Sequence, residues 1–104
     1  MHITDFSISM NTARGSFHKN DLVHWVNDGS RWCGFAVGFV KATCANGDVE
    51  FLCIARVCRL VGQLAMGEAW TEGPRCLVAA QLIIEGLPFF ADGVHIFPRF
   101  PKRG

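Results

Sequence analysis

The chain of 104 residues has little charge, and what it has nearly cancels. Ten lysines and arginines face nine aspartates and glutamates, for a net of +1. Such a balance creates no field that draws nucleic acid or an anionic membrane surface, so neither is an expected partner. Long apolar runs are also missing. The richest stretch, residues 76–90, is broken by Gln81, Glu85, Gly86 and Pro88, which excludes a bilayer-spanning helix. The opening Met1-His2-Ile3-Thr4-Asp5 lacks the basic start and apolar run of a secretory signal. Cys33, Cys44, Cys53, Cys58 and Cys76 form neither Cys-x-x-Cys nor a zinc-finger spacing. Cys53 and Cys58, five apart on one expected strand, point to opposite faces and cannot easily share an ion. The expectation is no metal, and buried, reduced thiols in a cytoplasmic protein. No Walker loop, His-Glu-x-x-His, Ser-His-Asp pattern or dinucleotide glycine fingerprint is present. These absences point away from catalysis and predict no cofactor.

What the chain does have is apolar surface. Half of its residues are hydrophobic and the mean hydropathy is positive. A single domain of this size leaves roughly a third of its unfolded-chain surface exposed. The surplus of apolar side chains therefore predicts self-association, as a homodimer or homotetramer.

Three dipeptides, Asp28-Gly29, Asn46-Gly47 and Asp92-Gly93, supply hairpin turns between apolar runs. They punctuate strands at 6–10, 22–26, 32–42 and 49–60, the last long enough to need a bend near Ala55. Residues 11–15 read as a loop and 62–73 as a looser segment anchored by Trp70. Pro74 and Gly86 frame residues 75–85 as a short helix, although Leu77, Val78, Leu82, Ile83 and Ile84 suit a buried strand as well. A last hairpin joins Phe89-Phe90 to 94–97, and residues 99–104 read as a flexible basic tail. The fold expected is mainly β: a small antiparallel SH3-like barrel or a strongly bent meander, one domain over 1–104.

Within it, residues 32–40 carry two unlike faces. Cys33, Phe35, Val37 and Phe39 alternate with Gly34, Ala36 and Gly38, so one side fills a core and the other is nearly bare backbone. Something must lie against that bare side: a neighbouring aromatic such as Trp25, a second subunit or a flat ligand.

The run Lys19-Asn20-Asp21-Leu22-Val23, followed by Asp28-Gly29 and Trp32-x-Gly34, resembles the start of many SH3-like barrels. Asn20 stands where those proteins usually carry glycine. Two segments are similar to the plasmid-borne type II dihydrofolate reductases. Trp32-x-Gly34-x-x-Val37-Gly38-Phe39 resembles their Trp-x-Gly-x-x-Val-Gly-Trp strand, and Val94-His95-Ile96-Phe97-Pro98 their Val-Gln-Ile-Tyr-Pro strand. The resemblance implies a homotetramer around a central pore that binds folate and NADPH. The chain departs from that family where its chemistry lies: His95 replaces glutamine, Phe97 replaces tyrosine and Trp25 replaces the pore lysine.

Candidate site residues follow. Trp25, Trp32, Gly34, Gly38, Trp70, His95, Ile96 and Phe97 are expected to line an aromatic, glycine-floored groove for a planar small molecule or a peptide. His95 is the one weak catalytic candidate, and His24 reads as a half-buried histidine bonded to backbone or water. Arg99, Lys102 and Arg103 beside Phe97 and Phe100 offer a second reading, retention of single-stranded nucleic acid by the tail.

Overall fold

The computed structural model describes residues 1–101, and among them nearly everything regular is antiparallel strand. In chain order these are β1 (His2–Ser7), β2 (Ser9–Thr12), β3 (Gly15–His18), β4 (Leu22–Asn27), β5 (Ser30–Thr43), β6 (Val49–Leu64), β7 (Gly67–Ala79), β8 (Ile83–Gly86), β9 (Phe89–Ala91) and β10 (Ile96–Pro98). One sheet runs β8-β4-β5-β6-β7-β10-β9, with β1 also paired to β5, while β2 and β3 form a separate ribbon. The end strands β8 and β9 do not pair with each other, so the sheet stays open. A strongly bent meander therefore describes it, and the closed barrel does not. The last strands are too short to close the circuit: β10 meets β7 only at Ile96↔Trp70.

Turn chemistry explains the hairpins. Asp28 and Gly29 both adopt positive φ (51° and 74°), the requirement of the tight turn that joins β4 to β5. Asn20, φ 77°, occupies the left-handed region that asparagine tolerates better than most residues. This accounts for asparagine at a position where glycine was the expected residue.

Two segments correct the sequence expectation. Residues 75–85 are not a helix: 75–79 end β7, Ala80–Leu82 make a single 3₁₀ turn, and β8 follows. Arg75, Cys76, Leu77 and Val78 find ladder partners in Arg56, Ala55, Ile54 and Cys53, and that long-range pairing overrides the Pro-to-Gly framing. Residues 62–73 are not loose either. Gly62↔Ala69, Gln63↔Glu68 and Leu64↔Gly67 extend the β6–β7 hairpin into an arm, turned at Ala65-Met66. With solvent around much of the arm, no apolar alternation advertises it.

The bend lies close to the expected place. β6 shifts register against β7 between Arg56 and Cys58, and β5 shifts against β6 between Ala36 and Gly38. Gly34 and Gly73 flank Val57 on the two neighbouring strands. A Cβ on Gly34 would stand 2.7 Å from the Arg56 carbonyl oxygen, and one on Gly73 2.6 Å from that of Val57. Only glycine lets the three backbones close around the bulge. Pro74 falls in the same irregularity, where the ladder does not require its missing N–H.

Leu22, Val23, His24 and Trp25 are all buried, which requires cover on both faces of β4. Two clusters supply it. The first joins Val23, Trp25, Ala36, Phe39, Cys53, Ala55, Val78 and Ile83 with Phe17 from the ribbon. The second joins Leu22, Cys33, Cys58, Trp70, Leu87 and Ile96, with Phe35 and Phe100 packed against it. The shift at Val37 carries Phe39 across to the side of Ala36, so the strict alternation expected from 33 to 39 fails at Val37. Cys53 and Cys58 do enter different clusters, as their odd spacing requires.

Candidate functional site

The expected site residues fall in separate places, with Trp25 and Trp32 at one cleft and His95 and Ile96 at another. Trp25 and Trp32 face each other across β4 and β5 and stack, centroids 6.4 Å apart and planes 15° from parallel. Trp25 is buried while Trp32 keeps 39% of its surface. With Leu77, Leu82 and Cys76 they border a cleft of about 210 Å³, below the roughly 300 Å³ of a typical small-molecule pocket. Gly34 is closed off by the backbone of β6. Gly38 is covered by the Phe6 ring, while Trp25 packs in one cluster with Ala36, so two aromatics share the residues expected to form the bare face.

Trp70, Ile96 and Phe97 are largely buried, yet Ile96 lines a cleft of about 420 Å³ together with His95, and Phe97 lines a neighbouring one of about 390 Å³. Of the segment that resembles the pore strand, Ile96 and Phe97 lie mostly inside the subunit while Val94 is exposed. His95 is half-buried in the turn before β10, its Nδ1 3.7 Å from the Asp92 carboxylate. Asp92 accepts hydrogen bonds from the backbone N–H groups of Val94 (2.8 Å) and His95 (2.6 Å). The His95 N–H, then the Val94 N–H, hold this exposed carboxyl below its usual range. The pair serves the turn geometry.

The chain beyond β10 is docked through Phe100. The Arg99 N–H bonds the Pro88 carbonyl at 2.9 Å. Phe100 meets the edge of buried His24 at 5.1 Å and tilts against Trp70 at 5.9 Å, with the Arg31 guanidinium 4.3 Å over its ring. Arg31 also pairs with Glu68 at 3.4 Å. The free tail expected from residue 99 onward thus starts no earlier than Pro101, and residues 102–104 lie outside the described part.

The thiols divide by environment. Burial pushes Cys53 up to about 12. The Cys58 thiol donates to the Arg56 carbonyl at 3.9 Å; interaction with Cys58, helped by burial, raises Cys33, and interaction with Cys33 lowers Cys58 despite burial. The first proton to leave the pair is therefore that of Cys58. Among the described residues no three His, Cys, Asp or Glu side chains come together to hold a metal ion.

A further cleft lies where no sequence motif pointed. It measures about 730 Å³, inside the roughly 300–1,000 Å³ range of ligand sites, between the tip of the β2–β3 ribbon, the start of β6 and the 3₁₀ turn. Met10, Arg14, Asp48, Glu50, Phe51 and Gln81 are among its walls. One wall is braced by the Asn46-Gly47 turn: Asn46 Nδ2 donates to Asp48 Oδ2 (2.9 Å) and the Asp48 N–H to Asn46 Oδ1 (3.0 Å). Across the cleft, the Arg14 N–H donates to Thr12 Oγ1 (3.1 Å) and Ser16 Oγ to Asn11 Oδ1 (2.6 Å). Val49, Glu50 and Phe51 pair with β5 on one side only, since β7 joins β6 first at Leu52↔Ala79. The edge of β6 beside the cleft is thus without a strand. β2 likewise has no strand on the side away from β3. Phe51 stays 53% exposed there. Sequence reasoning missed this site because it read 11–15 as a loop and weighed tryptophan and histidine before a short strand edge.

No protein-family model matches the chain, and neither a curated protein nor a solved structure matches it.

Proposed function

We propose that this chain is a non-enzymatic binding module, a bent β-meander that takes an extended peptide in the cleft between the β2–β3 ribbon and the start of β6. The observation that carries the reading is the strandless edge over Val49, Glu50 and Phe51 beside a cleft of about 730 Å³. An extended segment laid there adds a strand by main-chain hydrogen bonds, while alternate side chains meet Phe51 and Met10. Asp48 and Glu50 outnumber Arg14 on the walls, so the favoured peptide carries a basic residue among apolar ones. Rigid turns on both sides limit the ordering cost of binding. A planar small molecule is less suited, because the stacked tryptophans offer only the smaller cleft.

The test is selection from a random peptide library on the purified protein. Enriched peptides should alternate apolar and basic residues. Phe51→Ala should weaken them about tenfold, a loss of about 1.4 kcal/mol, and Glu50→Lys should reverse the charge preference. No enrichment, or enrichment indifferent to both variants, rejects the reading.

The module also self-associates in this proposal. Leu60, Val61, Leu64 and Met66 leave large apolar side chains exposed along the β6–β7 arm, and a second copy of the chain is the partner assigned to them. Native mass measurement at micromolar concentration should show a dimer or tetramer; a monomer rejects this part. A rise in Tm on adding NADPH would favour the reductase-like alternative instead.

A further inference from the structure

We infer that Cys33 and Cys58 form a redox-modifiable pair, joined reversibly as a cross-strand disulfide by a low-molecular-weight disulfide. Two geometric observations converge on them. Cys33 on β5 and Cys58 on β6 follow Gly34↔Val57, the last ladder pair at this end, and continuing that register sets them opposite one another. Residues so opposed in antiparallel strands have Cα atoms about 4.5–5.5 Å apart, within the roughly 4.4–6.8 Å that a disulfide spans. Both side chains enter the same buried cluster, where each thiol shifts the proton equilibrium of the other. All five cysteines are free, and none of the other three shares that cluster.

The chemistry is a two-step exchange. The Cys58 thiolate attacks one sulfur of the small disulfide, forming a mixed disulfide and expelling one small thiolate. Cys33 then loses its proton and attacks the Cys58 sulfur, forming the Cys33–Cys58 bond and expelling the second. The protein is oxidised by two electrons, and the small disulfide is reduced to two thiols. Lowering of Cys58 rather than Cys33 by their interaction makes Cys58 the attacking sulfur.

Both sulfurs are covered, so the exchange needs an opening. The cover over this cluster is the terminal hairpin with Phe100: Ile96 of β10 and the Phe100 ring both pack on it. That hairpin is held to the sheet by one ladder pair, Ile96↔Trp70, supported by the bond from the Leu87 N–H to the Leu22 carbonyl. Its lifting is the low-energy local opening that admits the oxidant.

The experiment incubates the native full chain with 2-hydroxyethyl disulfide, blocks residual thiols and maps tryptic peptides without reduction. Cleavage after Arg31, Lys41, Arg56 and Arg59 gives residues 32–41 and 57–59, which the new bond links. The expected result is that linked pair as the main product, reversed by dithiothreitol. Phe100→Ala should form it several-fold faster, and Cys33→Ser should instead trap a mixed disulfide on Cys58. Linkage of Cys53 to Cys76, adducts confined to Cys44 and Cys76, or no linked peptide in either wild type or Phe100→Ala would overturn the pairing. Equal rates in wild type and Phe100→Ala would overturn the role of the hairpin as cover.

Discussion

The two sides of the β4–β5–β6–β7 sheet are built from the same strands but differ in kind. One side packs Val23, Trp25, Ala36, Phe39, Ala55 and Ile83 beneath the β2–β3 ribbon, and its buried thiol, Cys53, is silenced by burial. The other gathers Cys33, Cys58, Trp70 and Phe100, with His24 against the Phe100 ring, beneath a short terminal hairpin. The lesson is that buried does not mean inert. Hydrocarbon under broad cover serves stability, whereas polar groups under a weakly tied cover retain chemistry.

The sharpest way to break the comparison is to cut one aromatic from each side. Phe39 is fully buried, and Phe39→Ala should cost about 3–5 kcal/mol in urea unfolding. Phe100 is only half-buried at the rim of its cluster, so Phe100→Ala should cost less than about 2 kcal/mol. Equal losses would mean that the hairpin side is as firmly packed as the ribbon side.

The two glycines of β5 give the next largest contrast. A Cβ at Gly34 meets the fixed backbone of Arg56 and Val57, so Gly34→Ala should destabilise by about 1–3 kcal/mol. At Gly38 the obstacle is chiefly the exposed Phe6 ring, which can swing away, and Gly38→Ala should cost about 1 kcal/mol or less. Chemical denaturation of both variants ranks them directly.

Trp70 predicts a smaller effect. Its indole N–H is buried and has no hydrogen-bond partner among the described residues. Trp70→Phe removes that donor and a desolvation cost of about 1–3 kcal/mol, which offsets the lost ring contacts. The net change in Tm should be slight, and a large drop would reveal that the N–H is satisfied.

The smallest effect concerns the turn of the terminal hairpin. The Asp92 carboxyl is held below its usual range by the Val94 and His95 N–H groups, so its contribution is present above the unfolded value and is lost as pH falls through the folded one. Amide exchange at Val94 and His95 should quicken through that acid window, when corrected for intrinsic rates, while the amides of Phe39 and Cys53 stay protected. Asp92→Asn should remove the pH response.

Much of the strand framework was legible in the chain. Asp28-Gly29, Asn46-Gly47 and Asp92-Gly93 each mark an observed turn, and the long strands between them follow from β-rich alternation. Residues 75–85 were not legible, since their local signals suit helix and strand alike and only the β6 ladder decides between them. The arm over 62–73 was hidden because exposed strands need no alternation. The tryptophan stack could be anticipated from the turn that brings Trp25 opposite Trp32. The large cleft could not, because its walls come from three places distant in sequence.

Composition and spacing alone determined that this chain folds as β-hairpins, that its strands are short of charge and that no familiar catalytic motif is present. These are local or additive properties, set by turn residues and alternation. Tertiary structure decided that the sheet stays open, that Phe6 rather than Trp25 covers Gly38, and that Cys33 meets Cys58 beneath the last hairpin. Each depends on register, bulges and the packing of residues far apart in the chain, where one slipped position exchanges the two faces of a strand.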